Sequence, residues 1–176
     1  MFILLIPGGF AQEQQPRFNN QITINASKFI KGIFPGQEYE YEIGYRRVLN
    51  QKFCLRTAFS YYNQTTDDGY FEGGLRLGSD YTFRDFKNWK FYFGLDVLGN
   101  YISYRSSQRE NYQVGILGFL GVTFKIGDHF SLSTEPGIYG IFNHYKDRDS
   151  FSEYNIEEYY TFGLGNIGQI ILGFHF

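Results

Sequence analysis

The sequence predicts an all-β protein, a closed antiparallel up-and-down transmembrane β-barrel of about eight strands with both chain ends on one side. Three observations carry this prediction. Apolar and polar residues alternate with a period of two through most of the chain after residue 36, the spacing of strands that show different faces to two environments. Aromatic residues make up 21% of the chain, as 20 Phe and 16 Tyr with one Trp, a composition that favours strands over helices. Short and long connections also alternate along the sequence, as the turns and loops of an up-and-down barrel do.

The 176 residues suit one domain, and a barrel of about eight strands needs roughly this length. Mean hydropathy is −0.34, and no stretch offers the roughly 18 uninterrupted apolar residues of a spanning helix, so any membrane crossing falls to strands. The 21 Gly and 4 Pro are scattered, as turns and close strand packing require. A net charge of −2 leaves no basic footprint, which excludes nucleic acid as an expected partner. Cys54 is alone, so neither a disulfide framework nor a cysteine metal pair is expected, and it reads as a small strand residue.

Residues 1–11 combine the apolar run Phe2-Ile3-Leu4-Leu5-Ile6 with Gly9 and Ala11 at the −3 and −1 positions of a cut after Ala11, as in a secretory signal peptide. The positive n-region is missing, so the segment reads as the remnant of a leader whose start lies upstream. Residues 12–20 follow as a periplasmic N-terminal segment, and residues 21–176 form the barrel.

The strands follow in order. Gln21 to Ile33 alternates least cleanly, with Lys28 and Lys31 on opposite faces, and is expected as a first strand with a bulge. From Glu38 to Arg46, Tyr39, Tyr41, Ile43 and Tyr45 interleave with Glu38, Glu40, Glu42, Gly44 and Arg46. Phe53, Leu55, Thr57, Phe59 and Tyr61 alternate with Cys54, Arg56, Ala58, Ser60 and Tyr62; Phe71, Gly73, Leu75, Leu77, Tyr81 and Phe83 oppose Glu72, Gly74, Arg76, Gly78 and Asp80. Trp89 to Val97 repeats the pattern, and further strands run over Tyr112–Ile126, Phe130–Asn143 and Glu157–Phe176.

The Leu49–Lys52, Asp85–Asn88 and Gly127–Asp128 connections are short, whereas Thr65–Asp68, Ser106–Arg109 and Lys146–Asn155 are longer and more polar. The short ones are then periplasmic turns and the long ones external loops. Phe34-Pro35-Gly36 becomes an unusually short external turn, and both termini fall in the periplasm. Which face points out is decided by volume: a narrow lumen has no room for an entire aromatic face, and the other face carries too many Gly and too few Lys for a solvated exterior. The aromatic face therefore meets lipid.

The chain stops at Gly173-Phe174-His175-Phe176, and Phe174 and Phe176 resemble the C-terminal sorting signal that bacterial outer-membrane proteins present to their assembly machinery. With the signal-like start and the alternation, residues from about 21 to 176 resemble the small eight-stranded OmpA/OmpX-type barrels, in a Tyr/Phe/Asn-rich style similar to that of Bacteroidota outer-membrane proteins. The resemblance implies a bacterial outer-membrane location, with membrane lipid and the assembly machinery as partners, and leaves activity open.

Glu42, Arg46, Arg56, Glu72, Arg76, Asp80, Asp96 and Glu135 fall on polar faces and form the expected lumen charge network, with Arg76 directly opposite Asp96 if the turn is centred near Phe86. Uncompensated charges in a poorly hydrated lumen are costly, so the network is expected as a salt-bridged plug. The competing reading is a gated or proton-conducting lumen. His129, Ser131 and Glu135 carry the residue types of a hydrolase triad and superficially resemble the His-x-Ser of lipid A deacylases. Glu135 nevertheless lies roughly 13 Å beyond Ser131 on an extended strand, so the three cannot converge locally. His144 and His175 have no partner at ligand spacing, and neither a metal nor a cofactor is expected. Asn25-Ala26-Ser27 and Asn63-Gln64-Thr65 match the glycosylation pattern without meaning for a bacterial protein. Lys146-Asp147-Arg148-Asp149 with Phe151 and Tyr154 reads as a solvated loop. Tyr61, Tyr62, Tyr101, Tyr104, Tyr145, Tyr159 and Trp89 read as interfacial girdles.

The expected role is structural or accessory: a monomeric barrel that stabilises the outer membrane or serves a larger envelope complex. An outer-leaflet lipid-modifying enzyme and a narrow channel are the other two readings.

Overall fold

A computed structural model of the chain describes residues 18–27, 41–64, 69–105, 109–148, 154–165 and 169–176. They contain β1 (Asn20–Asn25), β2 (Tyr41–Val48), β3 (Phe53–Asn63), β4 (Tyr70–Asp85), β5 (Trp89–Tyr104), β6 (Arg109–Ile126), β7 (Phe130–Thr134), β8 (Gly137–Arg148), β9 (Tyr154–Gly165) and β10 (Ile171–His175). All pairings are antiparallel, and sequence neighbours pair from β1 through β7. The ring closes because β10 pairs with both β7 and β1. At the seam, Asn20 and Phe176 exchange reciprocal backbone hydrogen bonds of 3.2 and 2.9 Å. Among the described residues there is no α-helix, and hence none long and apolar enough to cross a membrane.

The ring is eight-stranded because two of its members are each interrupted once. β7 and β8 lie along the same neighbour in unbroken register, from Ile126↔Phe130 to Glu110↔Lys146. The ladder skips Glu135-Pro136 because proline has no N–H: Leu120 N donates to Pro136 O at 3.0 Å, and the reciprocal bond cannot form. On the other side, Ser133↔Ile171 and Gly137↔Gly165 bracket the gap. The strand expected over Phe130–Asn143 is thus present, broken at Pro136 and extended to Arg148. Lys146, Asp147 and Arg148, expected in a loop, belong to this strand.

The expected first strand appears as β1; its continuation from Lys28 through Ile33 lies outside the described residues. So do the Phe34-Pro35-Gly36 turn, Tyr39, Glu38 and Glu40, residues 1–17, and most of the three longer loops. The turns at 49–52, 86–88 and 127–129 share one end of the barrel with Asn20 and Phe176, here the terminal end. The opposite end is the far end.

Outward positions are apolar around the ring. Ile43, Phe59, Leu77, Leu95, Ile116, Leu120, Ile138 and Phe162 are all more than half exposed, whereas Arg46, Arg56, Arg76, Asp80, Asp96 and Glu135 are buried. This inverts the arrangement of a water-soluble domain. The lumen also holds an apolar cluster of Tyr92, Leu117 and Phe119, packed against Leu98 and Tyr139.

Glycine makes room for these side chains. A Cβ on Gly121 would collide with the Tyr92 ring, one on Gly94 with Phe119, and one on Gly78 with the Asp96 carboxylate, whereas Gly118, on the outer face of the same strand as Gly121, has open space. We therefore expect Gly121→Val to abolish the fast-migrating folded band of unboiled samples on gels after refolding in detergent, and Gly118→Val to leave it. Adding Tyr92→Ala to Gly121→Val should restore folding in part; equal tolerance of both glycine substitutions would refute the packing argument.

Candidate functional site in the barrel lumen

The register assembles inward residues of successive strands into rows. One row runs Arg46↔Arg56↔Gly78↔Asp96↔Leu117↔Tyr139 across six neighbouring strands. It sets two arginines directly opposite each other, a repulsive cross-strand pair on its own, and carboxylates from other rows neutralise it. Arg46 Nη2 lies 2.5 Å from Asp80 Oδ2, and its Nη1 3.5 Å from Glu135 Oε1. Arg56 grips Glu135 with two bonds, Nη1 to Oε1 at 2.9 Å and Nη2 to Oε2 at 2.5 Å, the paired geometry a guanidinium suits best. Arg56 Nε and Arg76 Nε each lie 3.3 Å from an oxygen of Asp96, and Arg76 Nη2 donates to Glu42 at 2.6 Å.

The result is one chain of alternating sign, Asp80, Arg46, Glu135, Arg56, Asp96, Arg76, Glu42, crossing the lumen. Three guanidiniums face four carboxylates, and the Lys90 ammonium, 5.6 Å from the Tyr92 ring centre, supplies a fourth cation. Aromatic faces complete the cluster: the Arg46 guanidinium lies 4.7 Å from the Tyr92 ring centre and that of Arg56 4.3 Å from Phe119, a favourable desolvated arrangement. The Tyr92 hydroxyl donates to Glu135 at 2.7 Å. Glu135 and Asp96 are fully buried. The void left inside the cluster is about 10 Å³, about the least that holds one water.

The structure corrects the register of one pair. Arg76 lies opposite Leu98, and Asp96 opposite Gly78, so Arg76 and Asp96 are diagonal neighbours. The turn is centred on Lys87-Asn88, with Phe86 N donating to Trp89 O at 2.7 Å, and a bulge between Thr82 and Arg84 shifts the pairing by one residue. Glu72 falls on the lumen side nearer the far end, in register with Tyr62 and Ile102.

On the terminal side lies a hydroxyl layer. Ser131 accepts from Gln21 Nε2 at 3.0 Å and meets His175 Nε2 at 2.9 Å, and Thr123 bonds Ser133 at 2.7 Å. His129 Nδ1 instead contacts the His175 carbonyl at 3.0 Å. His129, Ser131 and Glu135 thus have three different sets of partners, and Ser131 is fully buried. His144 pairs with Glu158 at 3.0 Å. Asn25 and Ser27 are buried, and Ser27 Oγ accepts from Ile170 N at 2.7 Å. No group of His, Cys, Asp and Glu suited to a metal occurs among the described residues.

On the far side, Asn100 donates to Gln113 at 3.3 Å, Gln113 to Asn143 at 2.9 Å, and Asn143 to Thr161 at 3.1 Å. This amide girdle and Tyr92 were missed in the sequence. Tyr92 carried a signal, an aromatic on a polar face between Lys90 and Gly94; the girdle becomes visible only once the register is known. Of the tyrosines expected at the interfaces, Tyr61 and Tyr101 share the outward parity of their strands, but Tyr62, Tyr104, Tyr145 and Tyr159 fall on the lumen parity. Tyr62, Tyr70 and Tyr104 form a ring cluster, with centroids 5.2 and 5.7 Å apart.

Phe174 and Phe176 face outward, stacked at 6.2 Å, and Phe174 also packs on Phe130 at 5.4 Å. No family model, curated protein or solved structure matches the chain.

Arg56→Met leaves Glu135 with only the 3.5 Å contact to Arg46 and the Tyr92 hydroxyl, and Asp96 with Arg76 alone, and should lower unfolding stability in urea by about 3–5 kcal/mol. The double variant Arg56→Met with Glu135→Leu should recover most of that loss, because apolar replacement of a buried pair is close to neutral. A double variant as unstable as the single one would count against pairing as the source of the effect.

Proposed function

We propose that this chain is an integral outer-membrane β-barrel whose lumen is closed by the arginine–carboxylate chain, with a structural or accessory role in the cell envelope. One observation carries the reading: the side chains exposed around the ring are Ile, Leu, Val and Phe, while the charged ones are inside. An exterior of this kind is stable against hydrocarbon, and a closed ring leaves no unpaired backbone edge there. The likeness to OmpA/OmpX-type barrels supports the same location, with the terminal end in the periplasm and Phe174 and Phe176 as the sorting signal. In this reading the partners are membrane lipid, the assembly machinery during insertion, and a larger envelope complex for the accessory role.

The test is membrane insertion with a charge on the outer row. Leu77 is 52% exposed at mid-strand, and Leu77→Arg should cost about 2–4 kcal/mol in bilayers, read from urea titrations in lipid vesicles. A neutral effect would exclude lipid at that face. In planar bilayers the purified protein should give no steady conductance, and Arg56→Met with Glu135→Leu should remain silent because bulky apolar groups still fill the space. Steady conductance by the unaltered protein would remove the plug.

A further inference from the structure

The lumen is not filled evenly. Above the ion chain, toward the far end, lies a cavity of about 210 Å³, far larger than one water needs and smaller than the usual pocket for a drug-sized molecule. Its walls differ in chemistry. Glu42, Ser60 and Arg76 border it from β2, β3 and β4, and Asn100 from β5, while Leu98, Leu117, Tyr139 and Ile141 border it from β5, β6 and β8.

We infer that this cavity is a binding site for a neutral, hydroxyl-rich ring, chemically a single sugar residue. Charge excludes the ionic ligands. Arg76 is already shared by Glu42 and Asp96, and the cluster beneath, with Lys90 beside Tyr92, holds as many carboxylates as cations, so a carboxylate or phosphate meets no unbalanced cation. A pure hydrocarbon would desolvate Ser60, Asn100 and the Glu42–Arg76 pair without replacing their hydrogen bonds. A sugar ring suits both walls, its hydroxyl edge against the polar residues and its C–H face against Tyr139 and the aliphatic side chains.

The described lumen residues toward the far end have the same character. Asn100 borders the cavity and begins the amide girdle through Gln113 and Asn143, and amides donate and accept at once, as vicinal hydroxyls require. The Tyr62, Tyr70 and Tyr104 cluster lies on the lumen side at that end, where aromatic faces can receive C–H faces. The binding chemistry is independent of the membrane reading; only the assignment of the far end to the cell exterior rests on it.

The experiment uses the full chain refolded in a detergent without a sugar headgroup, with Ile, Leu and Val methyls labelled for NMR. It is titrated with neutral monosaccharides and with short oligosaccharides ending in the same sugar. Leu98, Leu117 and Ile141 methyls should shift saturably, and those of the outward Leu77 and Val97 should not. Asn100→Ala and Ser60→Ala should each weaken binding roughly five- to tenfold, with folding checked by gel migration, while the outward Gly99→Ala should leave it unchanged. Saturation by oligosaccharides as well as monosaccharides supports a glycan end as the ligand, and by monosaccharides alone a free sugar. Shifts produced only by aliphatic alcohols, or no saturable shift with any sugar, would overturn the inference, and both outcomes leave the bilayer tests of the barrel untouched.

Discussion

An eight-stranded ring encloses too little cross-section for a full side chain at every inward position, and most of the interior follows from that shortage. Where Tyr92, Phe119 and Asp96 project inward, the facing positions are Gly121, Gly94 and Gly78. Where charges project inward, they lie close enough that every guanidinium touches two carboxylates. Bulk and charge are therefore fixed together: a glycine opposite an aromatic admits the ring, and the ring in turn covers a guanidinium that would otherwise be desolvated without compensation.

Alternation made the strands and their two faces legible, because period two survives whatever the neighbours are. From Phe53 to Ile126 the outward and inward assignments follow from parity alone. Parity cannot supply register, however. The turn centred on Lys87-Asn88 instead of Phe86, from which the bulge between Thr82 and Arg84 takes back one residue, sets Asp96 opposite Gly78 rather than Arg76, and no single strand's pattern announces either. The amide girdle was hidden for the same reason: Asn100, Gln113 and Asn143 become neighbours only through two pairings. Tyr62 and Tyr104 depart from the expected girdle because strand parity, not residue type, decides which way a side chain points. Pro136 was visible as a residue that cannot donate, but the unbroken register across it needed both flanking ladders.

The lumen is divided along its axis. Hydroxyls and a histidine lie toward the chain ends, the alternating ion chain comes next, then the two-faced cavity, then amides and tyrosines. The ion chain reaches from β2 through β5 to the β7–β8 junction, so it bridges the interior, whereas the backbone ladders run around the wall. Glu135 can reach both Arg46 and Arg56 because it sits at the one point of its strand where the ladder lapses, immediately before Pro136. A residue before proline is held extended, so the break forfeits the bond that the Pro136 nitrogen cannot donate and still aims the carboxylate inward.

The seam has a consequence in time. Gln21 pairs with His175 and Asn20 with Phe176, so the contacts that close the ring join residues separated by nearly the whole sequence, whereas β2 to β6 are built from neighbouring hairpins. Such contacts carry the greatest loop-closure entropy and form slowly. Until they form, the chain is a curled sheet with two open edges, each a row of unpaired N–H and C=O groups ready to accept any strand presented to it. The half-made barrel is therefore the species most exposed to pairing with a wrong partner, and the one an assembly factor would need to hold.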